Sequence, residues 1–173
     1  PLNDSVLTAN ISSVTYLDVI SLSISDLTGI EDFISLIELK CGYNFISSLD
    51  ISSNINLTKF WCEYNQLTNL DVSHNALLNN LNCRYNQLSS LDLGQDTALT
   101  FLYCDSNQLS SLDLSNNTYL STVWCQNNQL TNLDLTNNSS LVELRCTNNQ
   151  LTSLYISQNI LLDLLKCGTN QLS

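Results

Sequence analysis

Between Leu36 and Ser173 the apolar residues of the chain recur with a period of 21. One unit, the stretch Leu57 to Ala76, places apolar side chains at Leu57, Phe60, Cys62, Leu67, Leu70 and Val72, and closes each half with an asparagine, Asn65 and Asn75. The consensus is L-x-x-L-x-C-x-x-N-Q-L-x-x-L-D-L-S-x-N-x-x. So strict a short period means stacked coils, each burying its apolar side chains against its neighbours. Phe60-Trp61-Cys62 alternates in, out, in, which predicts a parallel strand with Lys59, Trp61 and Glu63 facing solvent. Leu70-Asp71-Val72 alternates in the same way and predicts a short strand on the opposite wall. No window beyond residue 36 offers ten residues of helical period. The expected fold is a flattened, right-handed solenoid of about eight coils, mostly β with little helix.

The ends depart from this rule. Residues 1–13 show no repeat and read as the remnant of an N-terminal cap, with an amphipathic turn around Val6 to Ala9. Residues 14–35 form a first coil of another build: Leu17 to Leu39 is a step of 22, and Ile24 to Leu36 spaces its apolar residues by three, as a helical or 3₁₀ segment does. Residues 36–173 carry the 21-residue repeats and stop midway through one. With a start at Pro1-Leu2-Asn3 and no basic, apolar leader, the chain reads as a mature or excised fragment.

The ladder Cys41, Cys62, Cys83, Cys104, Cys125, Cys146 and Cys167 contains every cysteine in the chain. Their number is odd and there is no C-x-x-C pair, so a disulfide framework is not indicated. Residues on neighbouring parallel strands stand ~4.8 Å apart, whereas a disulfide brings Cβ atoms to about 3.8 Å and turns them toward each other. Thiols in single file also cannot surround a metal ion tetrahedrally. They are expected to be reduced, buried small hydrophobes. The asparagine files, Asn44 to Asn170 after the first strand and Asn54 to Asn159 after the second with Asp96 standing in once, are expected to bond backbone at tight turns and one another along the stack.

The segment L-x-x-L-x-C-x-x-N-x-L, with cysteine where leucine is usual, resembles the leucine-rich repeat. Together with L-D-V-S-x-N on the far wall it resembles the cysteine-ladder repeats of the internalin J type, found in cell-wall-attached surface proteins of Listeria, and the secreted leucine-rich repeat proteins of Bacteroidetes-type bacteria. That resemblance implies an α/β leucine-rich repeat solenoid by convention, with parallel strands on a concave wall. It also implies a secreted or cell-surface adhesion or recognition module with the concave sheet as contact surface.

Net charge narrows the partners. Five basic residues against sixteen acidic ones, a formal -11, argue against nucleic acid and against an anionic membrane surface. No run of eighteen apolar residues suggests membrane insertion. All five basic residues, Lys40, Lys59, Arg84, Arg145 and Lys166, fall on the outward face of the first sheet, among both tryptophans and several tyrosines. Aromatic residues and arginine dominate binding hot spots. The candidate contact set is Lys59, Trp61, Tyr64, Arg84, Tyr85, Phe101, Tyr103, Trp124 and Arg145. The plainer alternative is a cross-strand ladder that stabilises the sheet, worth ~0.2 to 1 kcal/mol per pair.

The opposite wall carries Asp50, Asp71, Asp92, Asp113 and Asp134 in one file. Calcium is conceivable there, but no glycine-rich loop wraps an ion, and solvated or Ser/Thr-bonded aspartate is the favoured reading. Catalysis has little to work with: His74 is the only histidine, and nucleophile-elbow, zinc and phosphate-loop motifs are missing from the sequence. The expectation is a monomeric, non-enzymatic module without cofactor. Its partner would be a protein, such as a host or cell-surface receptor. Polysaccharide binding by the same aromatics, or a structural spacer displaying another domain, are the alternatives.

Overall fold

The computed structural model describes residues 11–173; the expected cap remnant lies mostly, and the turn around Val6 to Ala9 wholly, outside the described residues. The chain winds into coils that each contribute one three-residue strand to a single parallel sheet. In chain order these are β1 (Tyr16–Asp18), β2 (Glu38–Lys40), β3 (Lys59–Trp61), β4 (Asn80–Asn82), β5 (Phe101–Tyr103), β6 (Thr122–Trp124), β7 (Glu143–Arg145) and β8 (Leu164–Lys166). Each strand pairs with the next in sequence. The register steps by 22 residues once, Leu17 opposite Leu39, and then by 21, Leu39 opposite Phe60. The odd first step is taken up by Ile30–Asp32, a 3₁₀ turn within the segment whose three-residue spacing predicts it.

Pairing extends beyond the strands. The Cys41 and Tyr43 N–H groups donate to the carbonyls of Trp61 and Glu63 in the next coil, both at 2.8 Å. The interior is the file of predicted apolar positions: Leu57, Phe60, Cys62, Leu67, Leu70 and Val72 are all buried, as are their counterparts as far as Leu151, beyond which Leu154, Ile156 and Leu162 are partly buried and Leu165 and Leu172 exposed. The thiols are free, six of them buried and Cys167 partly so. Burial pushes the Cys41, Cys83 and Cys146 thiols up to about 12, so they stay protonated at neutral pH and pack as apolar groups.

The opposite wall differs from expectation. Leu70 and Val72 point inward and Asp71 outward, yet among the described residues no strand forms there. The reason is where the backbone donors go. Asp71 Oδ1 accepts the Ser73 N–H at 2.9 Å, and Asn75 and Leu78 N–H groups bond carbonyls three residues back, both at 2.8 Å. Donors spent on turns within a coil cannot build a ladder between coils.

The asparagines also act differently from the expected amide-to-amide stack. Asn65 accepts the Ile46 N–H of the preceding coil at 3.0 Å and donates to the carbonyls of Cys41 and Cys62 at 3.0 and 3.1 Å. Asn86 and Asn107 repeat the pattern. Each amide thus joins the backbones of two coils instead of bonding the next amide. Just before each stands a residue in the left-handed region, Tyr43, Tyr64, Tyr85, Ser106, Asn127, Asn148 or Thr169, with φ between 52° and 57°. The bend turns the chain off the sheet. Among the described residues no helix is long and apolar enough to cross a membrane.

Candidate binding face on the parallel sheet

Three files of side chains rise from the outward face of the sheet. The last strand position gives Lys40, Trp61, Asn82, Tyr103, Trp124, Arg145 and Lys166. The residue after each of the first five cysteines gives Gly42, Glu63, Arg84, Asp105 and Gln126, and the first three left-handed positions give Tyr43, Tyr64 and Tyr85. The candidate contact residues fall into groups on this face. Trp61, Arg84, Tyr103 and Trp124 border one cleft of about 270 Å³, together with Glu63 and Asn82. Tyr64 and Tyr85 belong to a stack of three tyrosines, with ring centroids 4.4 and 4.1 Å apart. Lys59 and Phe101 stand exposed on the first strand position, and Arg145 lies beyond Trp124.

Much of the aromatic surface is anchored from within. The Trp61 indole N–H donates to Asn80 Oδ1 at 2.9 Å, and Lys40 Nζ sits 4.7 Å from its ring. Trp124 donates to Glu143 Oε1 at 2.9 Å; the same oxygen accepts Arg145 Nε at 2.6 Å, and the guanidinium lies 4.0 Å from the indole. Tyr103 meets Trp124 edge-on at 4.9 Å. Trp61 and Trp124, three coils apart, do not touch; each is braced by its own cation, a contact worth ~0.5 to 2 kcal/mol. Lys40 precedes Trp61 and Arg145 follows Trp124, so both cations stand on the far sides of the indoles from the cleft. Rigid, amphipathic rings are held at the two ends of an open space.

The cleft exists because Asn82 interrupts a run of large rings. Trp61 and Tyr103 are two coils apart, ~9.6 Å at the parallel strand spacing; Asn82 between them is smaller than either ring but only 8% exposed, and the Trp61 indole reaches over to Asn80 of the same strand. Its floor is charged. Glu63, expected to face solvent, is 5% exposed: it leaves the outward face of the sheet but is covered by its neighbours. Its carboxyl lies over Gly42, where even a Cβ would come within 3.0 Å. Asp105, the same position two coils on, is 3% exposed. Burial pushes both carboxyls up from their ordinary range, and the Arg84 guanidinium between them works in the opposite direction.

Four successive members of this file keep a buried polar atom without a partner: Glu63 Oε2, Arg84 Nε, Asp105 Oδ1 and Gln126 Oε1. Among the described residues Arg84 makes no ion pair, and its guanidinium lies 5.9 Å from the Tyr64 ring. Buried polar groups are ordinarily satisfied. Unpaired buried atoms are not confined to this face: the Oδ1 atoms of Asn54, Asn75, Asn117, Asn138 and Asn159 and both Asp96 oxygens share the condition on the other wall. Glu63, Asn82 and Asp105 were missing from the candidate set. The available signals were the small residue in a file of rings and the alternating charges after the cysteines.

The aspartate file of the other wall has a structural role. Asp50, Asp71, Asp92, Asp113 and Asp134 each accept the N–H two residues on, at 2.9 to 3.0 Å. Hydrogen bonds from Ser52, Ser73, Ser115 and Thr136 hold four of these carboxyls below their usual range. Among the described residues no three His, Cys, Asp or Glu side chains are grouped so as to hold a metal ion. His74 is exposed, with Nδ1 3.2 Å from Ser73 Oγ.

The sequence matches no protein-family model and no curated protein. Solved structures do match. The functional domain of InlJ from Listeria monocytogenes, described as including a cysteine ladder, superposes with a TM-score of 0.95 at 42% identity, over 96% of this chain and 37% of that one. The internalin InlF of the same species aligns with a TM-score of 0.83 at 27% identity, over 87% of this chain and 47% of its own length. A leucine-rich repeat protein of Leptospira interrogans aligns with a TM-score of 0.86 at 27% identity, over 91% of this chain and 44% of that one. The chain therefore spans less than half the length of each of these relatives. Its seven cysteines in register, its eight-stranded parallel sheet and these likenesses agree: the chain is a leucine-rich repeat solenoid of the cysteine-ladder type, similar to the internalins.

Proposed function

We propose that the chain is a protein-binding module, secreted or displayed on a bacterial cell surface, that engages its partner through the outward face of the parallel sheet. It serves adhesion or recognition and not catalysis. One observation carries this reading: all the basic side chains and both tryptophans lie on that face, and the tryptophans border a cleft in which Glu63 Oε2 and Arg84 Nε have no partner. Apolar and aromatic surface of this kind is disfavoured on a protein that binds nothing. The internalin-like relatives support a protein-interaction role. Candidate contacts are Lys59, Trp61, Tyr64, Arg84, Tyr85, Phe101, Tyr103, Trp124 and Arg145, with the cleft at the centre.

Adhesion of chain-coated beads to cultured epithelial cells tests the reading. Trp61→Ala combined with Trp124→Ala should lower adhesion at least about tenfold, as expected for paired hot spots. Tyr155→Ala, on the opposite wall, should leave it unchanged. Circular dichroism would verify that each variant keeps its fold. Equal adhesion by the tryptophan variant would overturn the reading. Adhesion that survives protease treatment of the cells but is lost to glycosidases would replace the protein partner with a polysaccharide.

A further inference from the structure

Resting on the reading above, we infer that Glu143 is a positioning residue of the binding face: it sets the Trp124 indole and the Arg145 guanidinium in one arrangement before a partner arrives. Glu143 and Arg145 are the two outer positions of β7, so both side chains rise from the same side of the strand. Arg145 stands directly opposite Trp124 of β6 in the register. One carboxylate oxygen, Glu143 Oε1, accepts from both neighbours, from the indole N–H at 2.9 Å and from Arg145 Nε at 2.6 Å. The guanidinium so held lies 4.0 Å from the indole, and the Tyr103 ring meets the indole edge-on at 4.9 Å. Side chains from three coils thus form one unit. Glu143 is the member that fixes two of the others by hydrogen bonds.

The equivalent position serves the other tryptophan less firmly. Trp61 donates to Asn80, the first residue of the next strand, at 2.9 Å. Asn80 is neutral, and the cation against Trp61, Lys40, is held by a different residue, Glu38, at 3.1 Å. Around Trp124 one ionised group fixes both the ring and its cation, and an ionised acceptor makes the shorter, stronger kind of hydrogen bond. The unit adds little to stability. Glu143 and Arg145 side chains are 25% and 28% exposed, where ion pairs contribute little, and β6 and β7 are already joined through their backbones. What the unit removes is freedom. Ordering a rotamer-rich side chain on association opposes binding, and a face with its tryptophan and arginine already fixed avoids that cost. Trp124 and Arg145 are both candidate contacts; Glu143 acts through them.

Glu143→Ala and Glu143→Gln separate positioning from direct contact. Glutamine keeps a carbonyl oxygen with two lone pairs at the same reach and loses the charge. In bead adhesion Glu143→Ala should lose at least about fivefold, as expected for two released side chains, while Glu143→Gln stays within about twofold of the wild type. Urea midpoints of both variants should stay close to that of the wild type. In a Trp61→Phe background Trp124 is the only tryptophan. There its emission should be quenched more readily by acrylamide in Glu143→Ala, and Glu143→Gln should restore the parent's quenching. Unchanged quenching in Glu143→Ala, or adhesion lost only together with folded structure, would overturn the assignment. So would Glu143→Gln adhering as poorly as Glu143→Ala, which would mean that the carboxylate itself touches the partner. If Glu143→Ala adheres normally while the double tryptophan variant does not, the protein-binding reading stands and the positioning role falls. If the double tryptophan variant also adheres normally, the binding reading falls and the positioning role with it.

Discussion

Replacing Asp96 by asparagine should stabilise the protein and remove part of its pH dependence. Asp96 stands where five other coils carry Asn54, Asn75, Asn117, Asn138 and Asn159. Those amides donate to two carbonyls of the preceding coil; Asn117, for example, donates to Leu93 and Asp96 carbonyls at 3.1 and 2.9 Å. Their Oδ1 atoms have no partner, so what the position demands is a donor. A carboxylate has none, and both Asp96 oxygens are unpaired at 0% exposure. A protonated carboxyl would resemble the amide by supplying one O–H. Accordingly burial, with smaller contributions from the Asp92 and Asp71 charges, pushes Asp96 up from 3.8 to about 7.

The sign of the linkage follows. A carboxyl that binds its proton more tightly in the folded state contributes its full stability below about pH 4, and that contribution is lost as pH rises to about 7. Three pH units at ~1.4 kcal/mol each set a ceiling of about 4 kcal/mol. Urea unfolding of the wild type and Asp96→Asn between pH 4 and 8 measures it. Other groups contribute slopes of their own: Glu63 and Asp105 in the same direction, the exposed aspartates of the second wall in the opposite one. These cancel in the difference between the two proteins. Asp96→Asn should exceed the wild type by roughly 2 to 4 kcal/mol at pH 8 and by less than about 1 at pH 4. A gap independent of pH, or a less stable variant at pH 8, would refute the reasoning.

Other consequences concern the stack. Asn107→Ala removes the acceptor of the Leu88 N–H and the donors to Cys83 and Cys104 carbonyls; with ~1 to 3 kcal/mol for each group left unpaired, it should cost about 3 to 5 kcal/mol in urea unfolding. Tyr64→Ala loses two ring contacts worth ~0.5 to 1.5 kcal/mol each and keeps the left-handed backbone. Tyr64→Gly should recover about 1 kcal/mol of that loss by relieving the backbone. Thiol labelling of the native protein should modify Cys167 first, because the other six are buried and protonated, and should reach them only on unfolding.

Repetition made the fold readable. The 21-residue cysteine period gives the strand register directly, and the single 22-residue step at Leu17 to Leu39 marks the coil that contains the 3₁₀ turn. Inward positions need only alternation, and Phe60 and Cys62 obey it. Three features lay beyond that logic. Alternation places Glu63 outside the sheet but says nothing of the neighbours that cover it, so a buried carboxyl looked solvated. Leu70-Asp71-Val72 has the pattern of a strand, but the Asp71 side chain takes the Ser73 N–H and helps to hold the wall in turns. The left-handed bend falls on tyrosine at Tyr43, Tyr64 and Tyr85, where residue preference favours asparagine or glycine. There the stack of rings compensates for the backbone, an effect visible only when coils are laid side by side.

For the site, residue type marked the face, but the absence of a ring marked the cleft. Asn82 was one polar residue among larger neighbours, and its meaning depends on Trp61 and Tyr103 standing two coils apart with Asn82 between them. Filling that notch tests the central claim most directly. Asn82→Tyr would put a ring into the cleft at a position that is now 8% exposed, displacing the neighbouring rings, and bead adhesion would be compared with that of the wild type. The cleft's role as the binding centre predicts adhesion reduced at least about tenfold in a variant whose circular dichroism shows the fold retained. Adhesion equal to that of the wild type, by a folded Asn82→Tyr protein, would contradict it.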